Sequence, residues 1–306
     1  MLQQSNCIKR AASGVAFSLH ADAGESFLIK NIIFGGATAV ADYPILRVDR
    51  KTVGCYRAGA QGLNHLGHPQ DTFIPMNLME WLTSKGINVT IPVAEGQSFT
   101  IDRGAAKTGD VVVVYDRYDA GDITANMVNG SEAKEYNFIQ YMTAAAALAA
   151  DGDHLLSVSL SPGEFPDFPC GKVVPARHTI DILGIAGAPF SEAGGATGEI
   201  TSEYIKLVKD REILFDEDRN GIPFFGADSV DTDVEYLTEM SLIGDCVSVV
   251  TGLSDPSYGV PLLFDPPLHF VSGEELLVYL NVDWATDASL AVAHVRVALI
   301  MHVKVE

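Results

Sequence analysis

The chain is 306 residues long and 47% hydrophobic, enough to bury one large core or two medium ones, which excludes a disordered polymer. Forty acidic residues against 20 basic ones leave a formal charge of −20, which opposes direct nucleic-acid binding, because contact with a phosphate backbone draws its affinity from Lys and Arg. At roughly 100–200 residues per domain, the length favours two domains.

In chain order, Lys9 and Arg10 precede Ala11 to Phe17, a stretch too short and too interrupted for a secretion signal or a membrane span. Strands are expected at 27–34, 45–53, 87–93, 98–102 and 111–118, short runs rich in Ile, Val, Phe and Tyr with Gly, Asp or Pro between them. A helix is expected from Asn77 to Lys85, closed by Gly86. Asn129-Gly130-Ser131-Glu132 opens a second, running through Tyr136, Ile139, Gln140, Thr143 and Ala147 to Gly152. Its apolar run, Tyr141 to Ala150, falls well short of the roughly 20 residues that span a bilayer, so no transmembrane segment is expected.

Pro162, Pro166, Pro169 and Pro175 cannot sit in central strands, and a domain boundary placed among them gives domains 1–165 and 166–306. Beyond it the strand texture returns at 179–185, 205–215, 246–250, 276–282 and 290–305, with a helix from Asp233 to Ser241. The last run, Ala291 to Val305, alternates as a half-buried strand inside a sheet should. Many short strands with turn residues between them point to all-β sandwiches over a parallel α/β sheet, which needs a helix after each strand.

The second half repeats the first in the same order. Residues 26–33 match 177–184, and Tyr43 to Arg50 match Tyr204 to Arg211, both ending in Asp-Arg. Glu80-Trp81-Leu82-Thr83 matches Glu235-Tyr236-Leu237-Thr238; residues 93–101 match 270–278, and 110–117 match 289–296. Five weak matches in one order indicate a tandem duplication, with only a few loop insertions.

Chemistry-bearing motifs are few. Asp216-Glu217-Asp218-Arg219-Asn220-Gly221 sets oxygen ligands on alternate positions before a Gly, as a calcium loop does, with Asp216, Asp218 and Asn220 as the ligands. The residue that should supply the bidentate Glu is Ala227, and the hexapeptide equally fits a polar turn after a strand. His65, His68 and Asp71 lie close together, but in a Gly- and Pro-containing loop, not on a helix face that aims two imidazoles at one ion.

Cys7, Cys55, Cys170 and Cys246 are too scattered for a metal motif or a dense disulfide framework, and read as ordinary thiols. Asn88-Val89-Thr90 and Asn129-Gly130-Ser131 match the glycosylation pattern without a secretion signal to make it meaningful. Nucleophile elbow, zincin helix, P-loop, Rossmann fingerprint and the His-x-His of metal-binding cupins are all absent, so no catalytic residue and no enzyme activity is assigned.

Two tandem jelly-roll-like β-sandwich domains with a few short helices at matching positions resemble the double jelly-roll major capsid proteins of icosahedral viruses. The resemblance spans about Ala16 to Glu306. It implies a structural virion protein, made in the host cytoplasm, whose homotrimers form pseudo-hexagonal capsomers and meet other capsomers and other virion proteins. Loops Lys51 to Ile74 and Phe215 to Thr232 are its candidate contact segments, and Lys9, Arg10 and Lys30 a candidate inward-facing basic patch. Two alternatives stay open: a carbohydrate-active hydrolase using carboxylates from both domains, against which the chain offers only Trp81, on the apolar side of a helix, and Trp284 as tryptophans for a sugar site, and an adhesion or tail module with a structural calcium at Asp216 to Gly221.

Overall fold

The computed structural model describes residues 1–35, 44–55, 78–104, 107, 109–144, 151–158, 168–169, 173–186, 199–215, 221–229, 262–282, 284–286 and 297–306. The chain is almost entirely β, arranged in four antiparallel sheets. Contacts gather these residues into two units: the first runs to Gln140 and regains Met301–Glu306, and the second comprises Tyr141–Ile300.

The first unit contains β1 (Leu2–Ala11), β2 (Phe17–His20), β3 (Glu25–Gly35), β4 (Ile45–Val48), β5 (Lys51–Cys55), α1 (Leu78–Ser84), β6 (Ile91–Val93), β7 (Ser98–Asp102) and β8 (Asp110–Asp119). One sheet has the order β1-β8-β3-β6, the other β2-β7-β4-β5. Every second residue is buried, as the pleat demands: Phe17 and Leu19, Leu46 and Val48, Phe99 and Ile101, Val111 and Val113. Phe17 packs edge-on against Phe99 at 6.1 Å and Phe27 against Tyr115 at 5.0 Å. Helix α1 lies where expected, burying Met79 and Leu82, and Gly86 closes it with a positive φ of 84° while its N–H reaches the Thr83 carbonyl.

Two strands, β9 (Glu135–Ala144) and β18 (Val297–Val305), run through the division, each with residues in both units. Here the structure corrects the sequence: the segment expected to be a helix from Asn129 is strand β9 at least to Ala144. The alanine run suggested helix, yet Met142, Thr143 and Ala144 pair antiparallel with Val158, Ser157 and Leu156, and Phe138, Ile139 and Gln140 are buried in succession, as in a strand covered on both faces.

The second unit adds β10 (Gly152–Val158), β11 (His178–Ala186), β12 (Glu199–Lys209), β13 (Glu212–Leu214), β14 (Ile222–Ser229), β15 (Leu262–Phe270), β16 (Leu276–Val282) and β17 (Trp284–Thr286). Strand β18 lies between β9 and β11, and β11 also pairs with β15; β16 lies between β10 and β12, which carries β13, β14 and β17 on further pairings, and β10 also pairs with β9.

The chain divides at Gln140, upstream of the proline-rich segment that marked the expected boundary. That segment falls inside the second unit, where Phe168 is fully buried and meets Phe270 edge-on at 5.3 Å. Pro266 and Pro267 stand within β15, in the stretch where its register against β11 slips between Ile182 and Gly184, which is where a strand tolerates residues without an N–H. Strand β18 is buried on both faces from Val297 to Met301, in place of the half-buried strand expected. The helix at 233–241 and the strand at 246–250 lie outside the described residues.

Candidate functional site

Asp216, Asp218 and Asn220 lie outside the described residues, as do His65, His68, Asp71 and His294. The neighbouring Gly221 is described: its φ is +109°, and a Cβ there would stand 2.5 Å from the Ile205 carbonyl oxygen. A glycine is therefore required to bring β14 against β12, whatever the preceding loop binds. Among the described residues no group of three or more His, Cys, Asp and Glu could hold a metal ion. The side chains of Trp81 and Trp284 are likewise not described.

The geometry that recurs is structural, and it recurs twice. Sharp turns replace the single strands expected at 45–53 and 205–215, at Asp49-Arg50 and at Asp210-Arg211. Asp49 has φ 52° and Asp210 φ 45°, a left-handed conformation that Asp tolerates. The Asp49 N–H donates to the Ser98 carbonyl at 2.9 Å, and the Ser98 N–H donates back to the Asp49 carboxylate at 2.9 Å. In the second unit the Asp210 N–H donates to the Glu275 carbonyl at 3.3 Å, and the Glu275 N–H to the Asp210 carboxylate at 3.0 Å.

A neighbouring turn repeats as closely. The Gly96 N–H donates to Ala21 O and the Ala21 N–H to Gln97 O; the Gly273 N–H donates to Val174 O and the Val174 N–H to Glu274 O. The Gln97 side chain accepts the Ala94 N–H at 3.0 Å, and Glu274 accepts that of Val271 at 2.8 Å. Burial works against the Glu274 carboxylate, but the Val271 N–H and Lys209, 2.9 Å away, outweigh it and hold its pKa below the ordinary value. Asp-Arg was visible as a repeated pair; Ala21 and Val174 carried no signal, because their equivalence lies in backbone bonds.

Buried polar groups serve the scaffold. Arg103, 2% exposed, donates to Gly109 O, Val15 O and Ala12 O, tying the connections that leave β7 and β1 to the start of β8. Burial pulls its pKa down while Asp110 acts in the opposite sense. Lys51 donates to Gly130 O and Ala133 O at 3.2 and 3.3 Å and stands 4.3 Å from the centre of the Tyr136 ring. Burial lowers the Lys51 pKa and pushes that of Tyr136 up to about 12. On the second unit, Asp153 accepts from Lys206, Tyr204 and Asn281 together.

Both glycosylation matches have local roles. Asn88 accepts the Thr90 N–H at 2.9 Å, and Asn129, 2% exposed, donates to Asn88 O and Thr90 O at 2.9 Å. His302 Nδ1 is 2.9 Å from Asn137 Oδ1. Of the proposed basic patch, Arg10 pairs with Asp110 and Lys30 with Asp116 at 3.2 Å, so two of the three cations are compensated within the sheet.

Among the described residues the three most exposed large apolar side chains are near the start of the chain: Met1, Ile8 and Val15 are 83%, 69% and 54% accessible. No helix among the described residues is long and apolar enough to cross a membrane. No family model matches the chain, and no curated protein matches it in sequence.

Proposed function

We propose that the chain is a viral coat subunit of double jelly-roll architecture, whose trimers tile an icosahedral shell. The observation that carries this reading is strand order. Counting from β1, the first unit pairs strands first-eighth-third-sixth and second-seventh-fourth-fifth. Counting from β9, and taking β13 with β14 as the fifth strand and β17 as an extension of the seventh, the second unit repeats these neighbours, with one added pairing between its first and second strands, β9 and β10. That is the order of an eight-stranded jelly roll, and its recurrence with the same turn bonds supports two jelly rolls made by duplication.

Two similar units per chain turn three-fold symmetry into an approximate six-fold outline, which is what tiling a closed surface needs. A charge of −20 suits a shell that meets other copies and other virion proteins but does not itself grip a genome. Chemistry adds weight on the same side: Arg103, Lys51 and Asn129 donate to backbone carbonyls, as scaffold groups do. The test is native mass determination of the purified protein with negative-stain imaging across ionic strength. Trimers, capsomer-like rings or shells are the expected result, and a monomer at every concentration and salt overturns the proposal.

A further inference from the structure

We propose that the Asn129-Gly130 pair is a modification site in the first unit: it stays intact while the turn around it is folded, and converts irreversibly to aspartate or isoaspartate once that turn opens. Asn followed by Gly is the pair most prone to this change, because a glycine has no side chain to keep its own nitrogen from the preceding carboxamide. The chain contains the pair twice, at Asn129-Gly130 and at Asn220-Gly221. The inference stands apart from the coat reading and does not depend on it.

The fold requires both residues of the first pair. A Cβ at Gly130 would stand 2.2 Å from Ala125 O and 2.7 Å from Met127 O, both backbone atoms, so the position admits no side chain. Asn129 has φ 64°, a left-handed conformation that Asn tolerates, and its buried amide donates to Asn88 O and Thr90 O together. Its side-chain oxygen accepts the Asn137 N–H, and the Asn137 side chain donates to the same Asn88 O at 2.6 Å. Asn129 thereby joins the approach to β6 to the start of β9.

These bonds also keep the pair unreactive. Conversion begins when the Gly130 nitrogen, its proton lost to base, attacks Asn129 Cγ. The bond from Cγ to the side-chain nitrogen breaks and ammonia leaves; water then opens the resulting succinimide at either carbonyl. Every participant is engaged elsewhere in the folded chain: the Gly130 N–H donates to Met127 O at 2.7 Å, the carboxamide has its three partners, and Lys51 holds Gly130 O at 3.2 Å. The reaction is therefore open only to chains in which this turn has come apart, and its rate follows their fraction.

The product does not return. A carboxylate has no hydrogen to give Asn88 O or Thr90 O and is a charge buried against both, and isoaspartate also adds a carbon to the main chain. The step consumes water, releases ammonia and needs no oxidant. A subunit that has once opened is thus marked permanently and barred from rebuilding the junction.

The test holds the full chain in mildly alkaline buffer, folded and in urea, and follows conversion by digestion and mass spectrometry, with Asn220-Gly221 in urea as the unprotected standard. The expected result is comparable conversion of the two pairs in urea and conversion at Asn129 slower by about ten-fold or more in the folded chain. On dilution from urea, chains converted at Asn129 should collect in the fraction that does not refold, and an Asn129→Asp variant should unfold at lower urea or fail to fold. Equal rates at Asn129 in the folded chain and in urea overturn the proposal, as does an Asn129 that stays unconverted in urea. Recovery of chains converted at Asn129 in the refolded fraction, in undiminished proportion, overturns it as well and does not depend on the variant folding.

Discussion

Asp49 and Asp210 do the same work in two places: each holds a left-handed turn and accepts a distant backbone N–H, that of Ser98 at the start of β7 and that of Glu275 just before β16. Replacing either by Ala removes the acceptor and leaves a β-carbon residue at positive φ, a loss of about 1–2 kcal/mol. Asn restores most of it, because it keeps an acceptor and tolerates that conformation. Urea unfolding of the single and double Ala variants should give losses that add within about 0.5 kcal/mol.

Tyr136 is a second residue-scale probe. Its folded pKa of about 12 lies above the ordinary 10.0, so its contribution is complete below pH 10 and disappears as pH rises from 10 to about 12. Over that interval the unfolded chain binds fewer protons than the folded one, so stability falls. Tyr136→Phe removes the ionisation and keeps the ring beneath Lys51. Urea titrations across this range should therefore show a shallower alkaline loss in the variant than in the wild type.

At the scale of elements, β14 depends on a glycine. With φ +109° and Ile205 O 2.5 Å from any added Cβ, Gly221→Ala forces β14 away from β12 and should cost about 2 kcal/mol or more. Hydrogen exchange should accelerate first in β14 amides and much less in the first unit. Elements were legible in the sequence where alternation was clean. Strand β16 matches its expected span, β3, β7, β8 and β11 fall within a residue or two of theirs, and α1 is held by Gly86 as foreseen. Strands were missed where the local signal was weak or contradictory: β1 buries almost nothing, β9 ends in an alanine run, and β15 carries two prolines. The hairpins at Asp49-Arg50 and Asp210-Arg211 were read as continuous strands, because nothing apolar is interrupted there.

At the scale of the molecule, two similar units per chain predict an oligomer, and native mass determination checks it: trimers or larger assemblies are the expected outcome. Three of the five sequence matches fall on strands or turns holding the same rank in the two units: β3 with β11, β4 with β12, and the turns and strands at β6-β7 with those at β15-β16; the other two reach outside the described residues. The all-β class was thus written in the chain itself, since alternation and turn chemistry are local properties that each segment carries alone. Strand neighbours, the division at Gln140, the clamps at Ala21 and Val174, and the burial of β18 on both faces were decided only by tertiary structure. Pairing joins residues more than a hundred positions apart, Leu2 with Tyr118 for example, and a strand's own pattern does not name its partner or count the layers that cover it.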